Sequence, residues 1–353
     1  MRHTYSNTVR VLSLLALTAG LTACETQNCT ECIEEERQPS TLTLSLDAAT
    51  VKSTDTPVDA EDNAINTVDV FIFTGGEESS PGYGLLDTYC RFEGTDIMEI
   101  RTTTGPKKIC AIVNAKSQDL GSITALSQLK ETVASLQDET FGNLTMYGEQ
   151  DMILEVQTNA SITVSRLISR VTVSSVRTRF AGTPYEGVQL SNCKVYLINA
   201  HADKLLAGGN ATAEPLILNQ GSLVHSDMES LAQPDMLADD IIGTIGDAGY
   251  TTKHYLHCYS NGTSDIPAST KLVLQADING TTYYYPIPVN QEGYGHISEN
   301  GHYGIQANTV YSYGITVTRP GSLQPDIPIE PGTLELSIDV AEWTVIPEFN
   351  KEF

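Results

Sequence analysis

Seven cysteines, seven histidines and 44 acidic side chains are the residues of this 353-residue chain with the types to do chemistry. Cys29-x-x-Cys32 has the spacing of half a zinc site or a redox pair, but no second pair stands at ligand distance and its flanks are acidic and polar rather than a βαβ unit. It reads as part of a linker. His254 and His257 (HYLHC) are three apart, which in a strand puts them on opposite faces and unsuits them to one metal. No GxSxG, HExxH, P-loop or dinucleotide-binding glycine pattern occurs, and the carboxylates fall mainly in polar loops where solvation explains them. The expectation is no enzyme, no cofactor and no metal. Cys90, Cys110, Cys193 and Cys258 stand singly among apolar strands, as buried thiols do. An exported chain could pair some of them, Cys90 with Cys110 for example, but sequence alone assigns none.

Cys24 has a different context. Arg2 and Arg10 flank a polar start, and residues 11–21 (VLSLLALTAGL) form an apolar run too short to span a bilayer, ending in Leu21-Thr22-Ala23-Cys24. Residues 1–23 therefore read as a signal peptide. Its end resembles a bacterial lipobox, in which small residues fit the peptidase and the Cys24 thiol takes diacylglycerol. No other stretch is long and apolar enough to span a membrane, so attachment would be through lipid. Against 44 acidic residues stand 20 Lys plus Arg, a formal charge of -24, which disfavours nucleic acid and direct docking on anionic lipid.

The elements that would position these residues are mostly strands. Sixteen Tyr, 27 Gly and 15 Pro, with many Thr and Val, point to a β-rich, turn-dense chain. After a polar tether at 25–37, residues 40–51 (STLTLSLDAATV) alternate apolar and polar side chains. A polar stretch at 52–66 follows, expected to be exposed and open to proteases, then a strongly apolar strand at 68–73 (VDVFIF). Further strands are predicted at 107–114, 152–156, 162–176, 194–198, 253–259 and 308–318, with a hairpin of 271–278 and 281–287 turned at Asn279-Gly280. Pro286 marks the return strand as an edge. Ile123, Leu126, Leu129, Val133 and Leu136 are spaced as one helical face over 122–138. Four prolines in 319–332 predict an extended spacer that joins no sheet, carrying a final strand from 333.

Set side by side, the two terminal strands are the most informative feature. Residues 41–49 read TLTLSLDAA and residues 333–341 read TLELSIDVA, identical at six of nine positions. Two strands with one apolar face fit one groove. A chain whose N-terminal strand fills a groove, and whose C-terminal strand can fill the same groove in a neighbour, can polymerise by strand addition. Such a contact is heterologous and builds a filament.

The same residues carry a family resemblance. The lipobox, the polar stretch before VDVFIF, LTMYGE at 144–149, SRLISRVTV at 165–173 and ELSIDVAEWTV at 335–345 together resemble a FimA-like (type V) major fimbrial subunit of Bacteroidia. The resemblance implies a mainly β fold of two β-sandwich-like domains with a minor helix in the first. The signal peptide (1–23) would precede a lipidated propeptide with the first strand (24–52), an N-terminal domain (53–160) and a C-terminal domain (161–353) that includes the donor strand, 333–353. It implies an outer-membrane lipoprotein precursor, cut outside the cell between Lys52 and Ser53 by a processing protease, then assembled with copies of itself and other pilus subunits into an adhesive surface fimbrium. The donor residues would be Leu334, Leu336, Ile338, Val340 and Trp343. Arg37 is a rival cleavage site, but a cut there leaves the first strand attached. Two other readings remain: a tip or anchor subunit of the same pilus, and a surface glycan-binding lipoprotein using Tyr283 to Tyr285 with Tyr311 and Tyr313 as stacking platforms.

Overall fold

The computed structural model describes residues 37–48, 62, 64–94, 98–116, 120–208, 215–294, 301–329 and 332–342, all within one contact unit, Arg37–Phe353. The signal peptide, Cys24, Cys29, Cys32, Lys52, Ser53 and Trp343 lie outside the described residues. The first half runs β1 (Pro39–Ala48), β2 (Thr67–Thr74), β3 (Leu86–Glu93), β4 (Met98–Thr103), β5 (Gly105–Val113), α1 (Leu126–Glu131), β6 (Val133–Ser135), β7 (Met146–Leu154) and β8 (Gln157–Arg166). Then come β9 (Ile168–Thr178), β10 (Ser191–Ile198), β11 (Ala200–His201), β12 (Asp203–Leu205), β13 (Ile217–Leu218), α2 (His225–Glu229) and β14 (Ala238–Ile241). The chain closes with β15 (His254–Tyr259), β16 (Lys271–Ile278), β17 (Thr281–Pro288), β18 (Thr309–Val317) and β19 (Leu334–Glu342). The fold is mainly β, as the composition implied.

Three larger sheets carry the architecture: seven strands in the order β3-β2-β5-β7-β8-β1-β4, six in the order β13-β11-β15-β9-β18-β19, and four in the order β14-β10-β16-β17. Neighbouring residues of β2 explain how the first sheet is packed. Val68, Val70 and Ile72 join Leu42, Leu44, Ile100, Ile109, Ile162 and Val164 in one core. Phe71 and Phe73 turn the other way, into a larger core reaching Val171, Leu256, Tyr285 and Tyr313. A strand buried on both faces needs a near-continuous apolar run, which is what VDVFIF is.

Several expectations need correction. The helix predicted over 122–138 is only Leu126–Glu131; Thr132 turns extended, and Val133–Ser135 leaves as β6 to pair with β12. Leu126, Leu129 and Leu136 still reach one core, so the apolar spacing was real, but a cross-strand ladder outcompetes further helix at the β-branched Thr132-Val133. The single run predicted at 162–176 is broken at Leu167 into β8 and β9, which enter different sheets. The spacer does join a sheet locally: Ser322 N donates to the carbonyl of Tyr284 of β17 at 2.9 Å and Tyr284 N to the Ser322 carbonyl at 2.8 Å, and Asp326 pairs with the buried Lys271. In the stretch expected to be exposed, Asp62 is buried. The hairpin stands as read, with Asn279 and Gly280 at φ 52° and 79° and β17 at the edge of its sheet.

Cys90 and Cys110 do not pair. They face successive β2 residues, Val70 and Phe71, and so point to opposite sides of the sheet. The four described cysteines are free, and burial pushes the Cys110 thiol up to about 11 and the Cys258 thiol up to about 12.

Candidate functional site

The site is the slot that β1 occupies. Its strand lies inside the seven-stranded sheet, antiparallel to β4 on one side and parallel to β8 on the other. Leu42 stands opposite Ile100 and Thr158, and Leu44 opposite Met98 and Ala160; both leucines are fully buried. Leu46, opposite Ile162, is half-buried. At the entrance, Thr104 N donates to Gln38 O (2.8 Å), Thr41 N to Val156 O (3.0 Å), and the Ser40 hydroxyl to Glu155 O. Period-two alternation sends every second side chain into the core, and each fully buried leucine contributes roughly 1.5–3 kcal/mol. β1 is the sole strand between β8 and β4, so taking it out would leave a cleft the width of one strand.

β19 has the same pattern in a poorer seat. It pairs antiparallel with β18 alone, at the edge of the six-stranded sheet, with Leu334 opposite Val317, Leu336 opposite Ile315 and Ile338 opposite Tyr313. These three side chains are half-buried against the larger core, while Glu335 points outward to pair with Arg179. The backbone of Val340 faces Tyr311. The C-terminal strand thus does not stand clear on its spacer; it is folded back on its own sheet.

Two further features shape the slot, and sequence reasoning missed both. The first is Gly148 of LTMYGE, in β7: a Cβ there would lie 2.2 Å from the Thr163 carbonyl oxygen of β8. Only a glycine lets these backbones approach so closely. Gly148→Val is expected to destabilise the fold by at least about 2 kcal/mol in a denaturant titration, because backbone cannot yield as a side chain can.

The second is Asp87 on β3, whose Oδ2 accepts from Thr102 Oγ1 (2.6 Å), Thr103 N (3.1 Å), Thr103 Oγ1 (2.9 Å) and Lys107 Nζ (2.7 Å). Burial alone would raise this carboxyl, but the hydrogen bonds from Lys107, Thr102 and Thr103 outweigh it and bring its pKa down to about 2. A folded-state pKa below the ordinary 3.8 means a contribution present above pH 4 and lost as pH falls toward 2. The loss is expected to be about 2 kcal/mol. Denaturation midpoints at pH 5 and pH 2.5 check it: the drop should be smaller in Asp87→Asn than in the parent chain.

SRLISRVTV also gains a physical reading. Arg166 and Arg170 are both buried; Arg170 Nη1 lies 2.7 Å from Asp62 Oδ2, and Arg166 Nε and Nη2 donate to the Asp62 carbonyl at 3.0 and 2.9 Å. The signal in the sequence was two arginines four apart, interleaved with the aliphatic residues Leu167, Ile168, Val171 and Val173. His257 lies beside this group, 3.9 Å from Asp62, whereas His254 pairs with Asp239 at 2.5 Å. The two histidines have different partners, and no cluster of three metal-ligating side chains is assembled among the described residues. Tyr285, Tyr311 and Tyr313 are buried, which removes them as platforms for a glycan.

A family model described as the major fimbrial subunit protein FimA matches residues 40–209. Among solved structures, a fimbrilin (FimA) from Porphyromonas gingivalis W83 is 16% identical, over 87% of this chain and 98% of that one, with a TM-score of 0.62. Proteins described as candidate cell adhesion proteins of Bacteroides eggerthii DSM 20697 (16%, 87% and 97%, TM-score 0.63) and Parabacteroides distasonis ATCC 8503 (17%, 86% and 96%, TM-score 0.62) share the fold as well. A search of curated proteins found no match.

The fold thus defines the class, a β-rich chain of fimbrilin architecture. Within it, the resemblance to FimA-like major fimbrial subunits read from the motifs is shown, its family match running from β1 through β12. The matched model describes a major fimbrial subunit, in agreement with the motifs LTMYGE and SRLISRVTV that lie within the matched residues.

Proposed function

We propose that the chain is a pilin precursor that polymerises by donor-strand exchange and supports adhesion. It is exported as an outer-membrane lipoprotein through Cys24, and a protease cuts it between Lys52 and Ser53. The β1 strand is thereby made exchangeable, and residues 333–353 of another copy, or of another pilus subunit, take its slot. Cleavage leaves a body beginning at Ser53, divided near residue 160, close to where β8 and β9 part into different sheets.

One observation carries the reading: two strands of nearly the same sequence occupy unequal seats. β1 has a ladder on each side and two fully buried leucines, whereas β19 has one ladder and half-buried side chains. Moving the C-terminal strand into a neighbour's vacated slot gains a second ladder and completes the burial of Leu334 and Leu336, so exchange runs downhill once β1 is released. While β1 is covalently attached, its high effective concentration keeps a free donor out.

The test is electron microscopy of the purified, cleaved protein with mass spectrometry of its N-terminus. Fibres whose subunits start at Ser53 support the reading; fibres starting at Gln38, with β1 retained, reject the assignment of the cut. The lipid step has its own check. Cys24→Ser is expected to remove all label from a fatty-acid analogue and to accumulate unprocessed precursor, since the hydroxyl does not replace the thiol.

A further inference from the structure

β4 is the weakest wall of the slot. It ends the seven-stranded sheet, and among the described strands its only ladder is the one to β1. When β1 leaves, β4 loses every strand partner at the moment its edge must receive another strand. What remains is on its other side, where it runs back along β3, the opposite end of the same sheet. No ladder joins β3 and β4 among the described residues, and side chains do the work instead. The Asp87 carboxylate holds Thr102 Oγ1, Thr103 N and Thr103 Oγ1 at 2.6–3.1 Å. The ammonium of Lys107 on β5, itself buried, donates to both Asp87 (2.7 Å) and Thr103 (2.7 Å). One residue along, the Thr88 hydroxyl donates to the Arg101 carbonyl at 3.1 Å. None of these bonds involves β1.

We propose that Asp87 is a positioning residue of the slot: it clips β4 to β3 and β5, so that the wall stays in register while the slot is empty and can accept a strand of a second copy of this chain. The inference rests on the donor-strand reading above. In the filled chain the β1 ladder also holds β4 in register; in the emptied chain the clip is the tie that keeps Met98 and Ile100 facing the cleft. A carboxylate taking charge-assisted bonds in a partly buried place suits this, since such bonds are short and directional.

The experiment uses the full chain with two background changes. Leu44→Asp places a charge at a fully buried position and evicts β1; Leu336→Asp disarms the chain's own C-terminal strand. The probe is a fluorescent synthetic peptide of residues 333–353, and amide hydrogen exchange of residues 98–103 is read in parallel. The background chain should bind the peptide. Adding Asp87→Asn should weaken binding at least tenfold and strip protection from β4, while Asp87→Asn in the otherwise unaltered chain leaves β4 protected by its ladder to β1. Thr102→Val, which removes one bond without changing shape much, should give a smaller loss in the same direction and serves if Asp87→Asn does not fold. Equal peptide affinity with and without Asp87, or β4 protection lost equally in filled and emptied chains, overturns the clip while leaving the donor-strand reading intact. No peptide binding by the background chain that retains Asp87 overturns that reading, and the clip with it.

Discussion

Leu336→Asp is expected to abolish fibre formation while leaving a folded subunit. Aligning the two terminal strands puts Leu334 in the place of Leu42, Leu336 in that of Leu44 and Ile338 in that of Leu46. In a neighbour's slot Leu336 would then face Met98 and Ala160, at a position where the resident side chain is fully buried. Aspartate there forfeits roughly 1.5–3 kcal/mol of burial and leaves a carboxylate in an apolar cleft. Ile338→Asp should be milder, because Leu46, whose place it takes, is half-buried. In its own subunit the strand sits at an edge, so the same change costs much less. Removing residues 333–353 should lower stability by about 2–4 kcal/mol, from three half-buried side chains, without unfolding the chain. Such a subunit still has an acceptor slot and should cap fibres of the parent protein. Electron microscopy decides: fibres of undiminished length from the truncated chain would sink the donor role, and an unfolded truncated chain would show that β19 belongs to its own core. A disulfide formed between subunits carrying Leu336→Cys and Met98→Cys would fix the register, since facing residues on paired strands bring their Cβ atoms to about 4.5–5.5 Å.

Lys52→Ala is expected to stop assembly by a different route, retaining β1 in the slot. The variant should accumulate as lipidated, folded monomer of full length from Cys24, and fibres should fall to background. Adding separately made, cleaved subunits distinguishes a blocked acceptor from a damaged one: the variant's C-terminal strand is intact and should still be accepted by them. Fibres of normal yield from Lys52→Ala, with Ser53 not at the N-terminus, would move the cut elsewhere.

What could be read from the sequence was whatever depends on periodicity. Alternation in TLTLSLDAA and TLELSIDVA revealed two strands with one kind of apolar face, and Asn279-Gly280 located a hairpin, because both signals are local. Where β19 rests could not be read, since pairing with β18 rather than projecting on its spacer is decided by the edge that β18 leaves open. The helix over 122–138 failed for a related reason: β12 offers Val133–Ser135 a ladder from about seventy residues away, and nothing local announces it. Asp87 was one acidic residue among 44, distinguished only once β3 and β4 are seen to converge. Arg166 and Arg170 were quoted as part of a motif, but their shared partner, Asp62, lies in a stretch that reads as solvent-exposed loop.

The two-sided seat of β1 also has a mechanical meaning. A strand bonded along one edge can be peeled away, its hydrogen bonds failing one after another under a small force. A strand clamped between β4 and β8 and pulled along its own axis loads both ladders together in shear, and many bonds must yield before it slides by one residue. An occupant of that slot joining two subunits in a fibre would therefore resist tension along the fibre far better than β19 resists detachment from β18. If donor-strand exchange is the route of assembly, one strand would be easy to lift from its edge beside β18 and hard to drag from the slot between β4 and β8, as a filament under tension requires.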